Sequence, residues 1–210
     1  MTTRPALIIA NGELPDPKLW SDLLQHNPLL VAADGGAERL TAHGLTPHVV
    51  IGDLDSLSSA DALRMSGARI IRVTDQETTD LEKALDFLLQ AGTERVTVLA
   101  ATGLRSDHTL ANFSILLKYH RRMDIRFRDA FSEISVVEGE RTLALVPGTL
   151  VSLIPMEPCI GVTTVGLQWN LRQESLAPGV RESISNRVVS SPVVIRIDRG
   201  RSLLFVGLVL

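Results

Sequence analysis

Several acidic residues in this chain stand where they could do phosphate chemistry. Asp34 lies in ADGGA, Asp53 and Asp55 in IGDLDS, Asp75 and Asp80 in DQETTD, and Asp107 in LRSDH beside Arg105 and His108. Carboxylates brought together repel one another, and burial makes the repulsion worse, so protons or a cation must hold them. All-oxygen ligands without cysteine or histidine clusters suit a hard cation, and magnesium shared with phosphate oxygens is the usual outcome. Lys83 and Arg105 would neutralise phosphate charge. Gly35, Gly36, Gly52 and Gly103 would let the backbone come close to phosphate oxygens. The expected chemistry is magnesium-dependent binding of a nucleoside triphosphate and transfer of part of its phosphate chain.

Each residue also has a plainer reading. A lone Asp after a strand commonly closes a turn, which suits Asp34 and Asp75. Asp80 can be a favourable acid in a helix's first turn, and Lys83 a solvated helix charge. His108 can cap or pack. Asp53 and Asp55 are different, because two acids at i and i+2 behind a glycine make a poor turn.

The elements that must position these residues follow from the apolar pattern. Residues 6–10, 29–33, 48–51, 69–73 and 95–100 are short runs rich in branched side chains and bounded by turn residues, and they predict buried strands. Helical patterns lie between them. In the clearest, from Thr79, residues Leu81, Ala84, Leu85, Leu88 and Leu89 share one face, Thr79 and Glu82 form a capping box, and Gly92 stands where a helix ends. Strands alternating with helices predict an α/β domain with a mostly parallel sheet over residues 1–128. Each acidic group then falls just past the carboxyl end of a strand, with Arg105, Asp107 and His108 in the loop after the fifth, and ligands of open α/β sheets bind along that edge. From about residue 131 the pattern changes to alternating or branched runs punctuated by Pro and Gly, which predicts an all-β, sandwich-like domain over 129–210.

Composition narrows the function class. The net charge is −3 and the arginines are scattered, so no basic field is expected to hold nucleic acid. The single cysteine, Cys159, builds neither a disulfide nor a thiolate zinc site, and the five histidines lack ligand spacing. No apolar run reaches the ~20 residues that span a bilayer, and the N-terminal run is too short for a signal peptide, so a cytoplasmic enzyme without membrane contact is expected. The familiar nucleotide motifs GxxxxGK[ST] and GxGxxG are absent.

Taken together, NGELP (residues 11–15), ADGGAERL, the segment from Pro47 through IGDLDS to Ser56, DQETTDLEKAL, TGLRSDHTLAN, GLQWNL and SISN resemble the thiamin pyrophosphokinase family, in order and over nearly the whole chain. The resemblance implies an ATP- and metal-binding catalytic domain followed by a thiamin-binding β-domain, in a homodimer with active sites at the subunit interface. It implies that pyrophosphate passes from ATP to the primary hydroxyl of thiamin, giving thiamin diphosphate and AMP. Asp53, Asp55 and Asp80 would be the metal and catalytic acids. Asp34, Gln76, Lys83, Arg105, Asp107, His108 and Asn112 would surround ATP, and Trp169, Ser183, Ser185 and Asn186 would receive thiamin. Asp80 is the first candidate for orienting or deprotonating the hydroxyl, and Asp107 the second. Trp169 would offer its ring face to the thiazolium cation, although a core Trp in a strand is the bland alternative. The chain departs from the family pattern at Leu104, where a glycine is usual. A positive φ there would strain a leucine.

Two rival functions stay open at this stage. A related pyrophosphokinase acting on a pterin alcohol would keep the acids and need no cation platform. A nucleotide- or thiamin-sensing module would not need the full set Asp53, Asp55, Asp80 and Asp107.

Overall fold

The computed structural model describes residues 4–53 and 67–208, and the chain divides into two compact units, Met1–Ala130 and Phe131–Leu210. The division falls two residues after the sequence-based boundary, because a strand and its following turn belong to the first unit.

In the first unit, β1 (Ala6–Ile9), β2 (Leu29–Ala33), β3 (Val49–Gly52), β4 (Arg69–Arg72), β5 (Arg95–Leu99) and β6 (Asp124–Arg128) all pair in parallel, in the order β4-β3-β2-β1-β5-β6. Strand β6 was not expected: DIRFR alternates charged and apolar residues and lies outside any clear apolar run. Among the described residues the α-helices are α1 (Ser21–Leu24), α2 (Gly36–Ala42), α3 (Asp80–Gln90) and α4 (Ser106–Tyr119). Leu7, Ile9, Leu30, Ala32 and Val50 pack with Trp20 and the α2 residues Ala37 and Leu40 in one core. Strand residues of the other parity, such as Ile8, Val31 and Ile51, are equally buried, as are Leu81, Leu85 and Leu88 of α3, which packs on β2 and β3. A sheet buried on both faces needs near-continuous apolar strands, which is why these runs were legible. The capping box forms as expected: Glu82 N–H donates to Thr79 Oγ1 at 3.3 Å, and Thr79 N–H donates to Glu82 Oε2 at 3.1 Å.

The strand order reverses between β1 and β5. Chain leaving β1 moves to one side of the sheet and chain leaving β5 to the other, so a crevice opens between their carboxyl ends.

The second unit is all-β, and its described strand pairs are antiparallel. Two long strands run through all of it, β7 (Ser132–Leu143) and β12 (Val193–Gly207). They pair with each other across their length, with a break in register between Ile197 and Ser202. Before the break β12 also pairs with β9 (Cys159–Val165), which carries β10 (Glu174–Leu176). After it β12 pairs with β8 (Leu150–Pro155), which carries β11 (Ser183–Arg187). Gly200, at φ +104°, sits in the break, where a side chain would strike Pro158 and Cys159. Long strands bent at such a break let one pair serve two sheet halves. Val137, Leu153, Val162, Ile195 and Leu204 belong to the apolar core of this unit.

Among the described residues, no helix is long and apolar enough to cross a membrane.

Candidate active site

A cleft of about 650 Å³ opens at the carboxyl ends of the strands in the first unit. Asn11 and Gly12 follow β1, Asp53 follows β3, Gln76 precedes α3, and Gly103 to Arg105 follow β5, and all of them line it. It is therefore the crevice at the reversal of strand order. Asp80 and Lys83 reach it from the first turn of α3, and Asp107, His108 and Asn112 from α4. Asp107 and His108 are helical rather than in the loop expected from the sequence. Arg105 occupies the N-cap position of α4 and gives no side-chain bond to the first amides of that helix. The positive end of α4 is thus directed at the cleft without a side-chain cap.

Asp55 lies outside the described residues, so the pair Asp53 and Asp55 is seen only through Asp53. Asp34 is buried at the end of β2, with a positive φ of +43°, and its main chain continues the parallel ladder through a bond from its N–H to Ile51 C=O at 2.8 Å. Its Cβ packs beneath Gly52, and it is not among the residues lining the cleft. Asp75 takes the plainer role. Its carboxylate accepts from Glu77 N–H at 3.0 Å and from the Thr78 hydroxyl at 2.6 Å, closing a turn.

Lys83 is not a solvated charge. Its side chain is 5 % exposed, and its ammonium donates to Asp80 Oδ1 at 3.0 Å. Burial makes that pair sensitive to loss of either partner. Arg105 and Asp107 form a second pair, bidentate at 3.1 and 2.5 Å and well exposed. The guanidinium of Arg105 is the main cause that lowers the Asp107 pKa to about 2. Asp107 is therefore a poor proton acceptor, which favours Asp80 for that task.

Asn112 works through the loop: its Nδ2 donates to Ala101 C=O at 2.7 Å and braces the turn between β5 and α4. In that turn Gly103 has φ +81° and Leu104 φ +58°. The positive φ that would strain a leucine is therefore present, and a left-handed residue with a Cβ costs ~1–2 kcal/mol. Two of the glycines also have a packing role. A Cβ on Gly36 would run into Ile9 C=O, and one on Gly35 would meet the Asn11 side chain, so these positions serve backbone packing at the strand ends.

One charged lining residue, Arg39, was given no role in the sequence reading. Arg39 of α2 donates to Asn11 C=O at 2.9 Å and to Asn11 Oδ1 at 3.2 Å, fixing the loop after β1. Nothing in its sequence setting separates it from an ordinary helix charge.

The candidate thiamin residues belong to the second unit. Trp169 is 62 % exposed, which removes the core alternative. Asn186 is buried, and its amide is taken up by main chain: Oδ1 accepts from Trp169 N–H at 3.1 Å and Arg187 N–H at 2.9 Å, while Nδ2 donates to Trp169 C=O at 2.7 Å. It holds the Trp169 loop and has little left for a ligand. Ser183, Ser185 and Asn186 lie on β11 rather than in a polar loop, at a register irregularity against β8. Ser185 has φ +54°, and its N–H donates to the Ser152 hydroxyl at 2.9 Å.

The donor chemistry of the cleft suits a hard cation. Asp53 and Asp80 offer only oxygen, and one Asp80 oxygen already serves Lys83. Among the described residues no group of three or more carboxylate, histidine or cysteine side chains could hold a metal ion by itself. A cation there would be completed by phosphate oxygens, which is how magnesium is usually held.

Residues 20–127 match the family described as Thiamin pyrophosphokinase, catalytic domain, and residues 133–201 match Thiamin pyrophosphokinase, vitamin B1 binding domain. The chain is 31 % identical over 227 residues to Thiamine pyrophosphokinase 1 of Oryza sativa subsp. japonica, covering 92 % of this chain and 83 % of that one. Two solved structures share the fold. Thiamine pyrophosphokinase from Bacillus subtilis superposes with a TM-score of 0.85 at 24 % identity, over 99 % of this chain and 100 % of that one. Thiamin pyrophosphokinase from Candida albicans superposes with a TM-score of 0.88 at 17 % identity, over 98 % and 89 %.

Proposed function

Because this chain belongs to the thiamin pyrophosphokinase family, we infer that it transfers pyrophosphate from ATP to the primary hydroxyl of thiamin. The products are thiamin diphosphate and AMP. The observation that carries the reading is the cleft at the strand-order reversal, where Asp53, Asp80, Lys83 and Arg105 meet the start of α4.

The hydroxyl oxygen of thiamin attacks the β-phosphorus of ATP, a P–O bond forms, the bond to the α-phosphate oxygen breaks, and AMP departs. Such a reaction depends on in-line placement and charge neutralisation rather than on covalent help from the protein. The proposed cofactor is magnesium, which Asp53, Asp55 and Asp80 would hold and which would offset phosphate charge. Lys83 and Arg105 supply further positive charge toward the leaving α-phosphate. Arg105 is engaged with Asp107, so binding a phosphate means sharing or exchanging that partner. The first amides of α4 favour an anion for the same reason. The Asp80 oxygen that Lys83 leaves open would serve either the cation or the hydroxyl, orienting the hydroxyl or taking its proton when it is not on the cation. Gln76 and His108 line the same cleft and are assigned to the nucleotide, with Asp34 and Asn112 supporting from behind.

The second unit is assigned to thiamin, with Trp169 as the platform for the thiazolium ring and Ser183 and Ser185 near the aminopyrimidine. An exposed indole favours a cationic substrate over a neutral pterin. We assign a homodimer with the active site near the subunit interface. Incubation with magnesium, ATP and thiamin tests the reading: AMP and thiamin diphosphate should appear in equal amounts. ADP with thiamin monophosphate would place the attack on the γ-phosphorus instead, and a reaction only with a pterin alcohol would move the chain to the rival substrate.

A further inference from the structure

Leu104 is placed at a cost to the fold. Its φ of +58° belongs to the region that favours glycine, and its side chain is 71 % exposed to water, so it offsets none of that cost through packing. Its neighbour Gly103 carries the larger φ, +81°, without strain. Backbone strain of this kind, sitting at the rim of a ligand cleft, is an observation from which function can be argued.

The rest of the cleft explains what Leu104 can supply. Its other apolar lining is small or buried: Ala10, Ala33, Ala101 and Ala111 have only a methyl to offer, and Leu81 is 4 % exposed. Leu104 is the one large, exposed apolar side chain among the described lining residues. The charged groups already described account for a phosphate chain, whereas a nucleoside also brings a flat, weakly polar base that gains by leaving water. The backbone that carries Leu104 is fixed from behind by the bond from Asn112 to Ala101. The side chain is therefore presented to the cleft from a braced turn.

We propose that Leu104 is a specificity-determining residue that covers the base of the bound nucleotide, so that the strain of its turn is recovered when ATP binds. The inference rests on the reading of the cleft as the ATP site. It makes stability and nucleotide affinity change in opposite directions on one substitution.

The test uses Leu104→Gly and Leu104→Ala with the full chain. Leu104→Gly relieves the backbone and removes the side chain, so it should melt a few degrees higher, by roughly the shift that a relieved left-handed residue gives. Its affinity for ATP should nevertheless fall by about five- to tenfold, the size expected for losing part of a leucine's apolar contact. Leu104→Ala keeps the strained backbone and loses the contact, so it should show the same fall in affinity without the gain in melting temperature. Inorganic tripolyphosphate, which has no base, should bind both variants as it binds the wild type. Unchanged ATP affinity in both variants would overturn the inference, and so would an equal loss for ATP and tripolyphosphate. A change confined to the KM for thiamin would overturn it as well. Failure of the wild type itself to bind ATP would instead refute the reading of the cleft.

Discussion

Asn186 holds Trp169 by its main chain: one side-chain amide accepts the Trp169 N–H at 3.1 Å and donates to the Trp169 C=O at 2.7 Å. The amide is buried while the indole it positions is 62 % exposed. Such an arrangement fixes a ring in space without burying it, which is what a platform for a soluble ligand requires.

The two residues should therefore fail differently. Trp169→Ala should fold with near wild-type stability and bind thiamin about ten- to thirtyfold more weakly, the range for a desolvated cation–aromatic contact. Asn186→Ala should weaken thiamin binding too, and should also lose ~1–3 kcal/mol of stability, because buried main-chain groups lose their partner. Calorimetric titration with thiamin, beside a denaturant melt, checks both. A Trp169→Ala protein that folds and binds thiamin normally would remove the platform.

Asp53→Asn and Asp80→Asn should separate charge from structure. Each should lose most of its turnover with magnesium saturating, since the amide no longer holds a cation. Asp80→Asn should also lower stability by ~1–3 kcal/mol, since it leaves the Lys83 ammonium buried without its carboxylate. Asp53→Asn removes one of two carboxylates two residues apart in the sequence, and should leave stability level or slightly raised. Steady-state kinetics and urea melts of the two variants decide the matter, and normal turnover in both would remove the acids from the site.

Asp107 should titrate far below an ordinary carboxylate. Its pKa is held to about 2, chiefly by the Arg105 side chain. The depressed value means that the ionised form is favoured by the fold, that this contribution is complete above the ordinary Asp pKa, and that it is lost as pH falls through about 2. No acidic limb of the rate profile above pH ~4 should belong to Asp107. Carbon-detected NMR titration reads its pKa directly. Arg105→Lys, which forfeits the bidentate geometry, should raise it.

His48 should give stability a test of the same sign, nearer neutrality. Its Nδ1 accepts the Leu30 N–H at 3.0 Å, and Arg4 lies at 3.4 Å from its other ring nitrogen. Burial first, then the Arg4 charge, lowers its pKa from the ordinary 6.5. The neutral ring is favoured, so its contribution is complete above pH 6.5, declines as pH falls below that, and levels off under the folded value. Urea midpoints between pH 8 and 5 should show that decline in the wild type and a shallower one in His48→Gln.

Legibility in the sequence followed burial. The runs that became β1 to β5 were clear because the sheet is covered on both faces. Helix α3 was clear because Thr79, Glu82 and Gly92 mark its ends. Strand β6 was hidden by arginines at alternate positions. The Pro and Gly residues that punctuate the second half, Gly200 among them, hid the length of β7 and β12. In the site, the acids were visible because Asp53 and Asp55, at i and i+2 behind a glycine, make a poor turn and because the acidic groups share one edge of the sheet. The burial of Lys83 was not visible, because a lysine on a helix is ordinarily solvated and only the fold brings Asp80 over it. Asn186 was assigned to ligand because a short amide in a polar stretch gives no sign that main chain will use all of it.

The central place of β12 sets an order of events during synthesis. The first unit ends at residue 130, and all the parallel strand pairs from β1 to β6 lie before that point. In the second unit β7, β8 and β9 all pair with Val193–Gly207. At ordinary rates of elongation the intervening stretch takes on the order of 5–15 s to make. For that time a growing chain carries a finished nucleotide-binding unit followed by strands whose common partner has not yet been translated, and these are the segments a chaperone would have to shield.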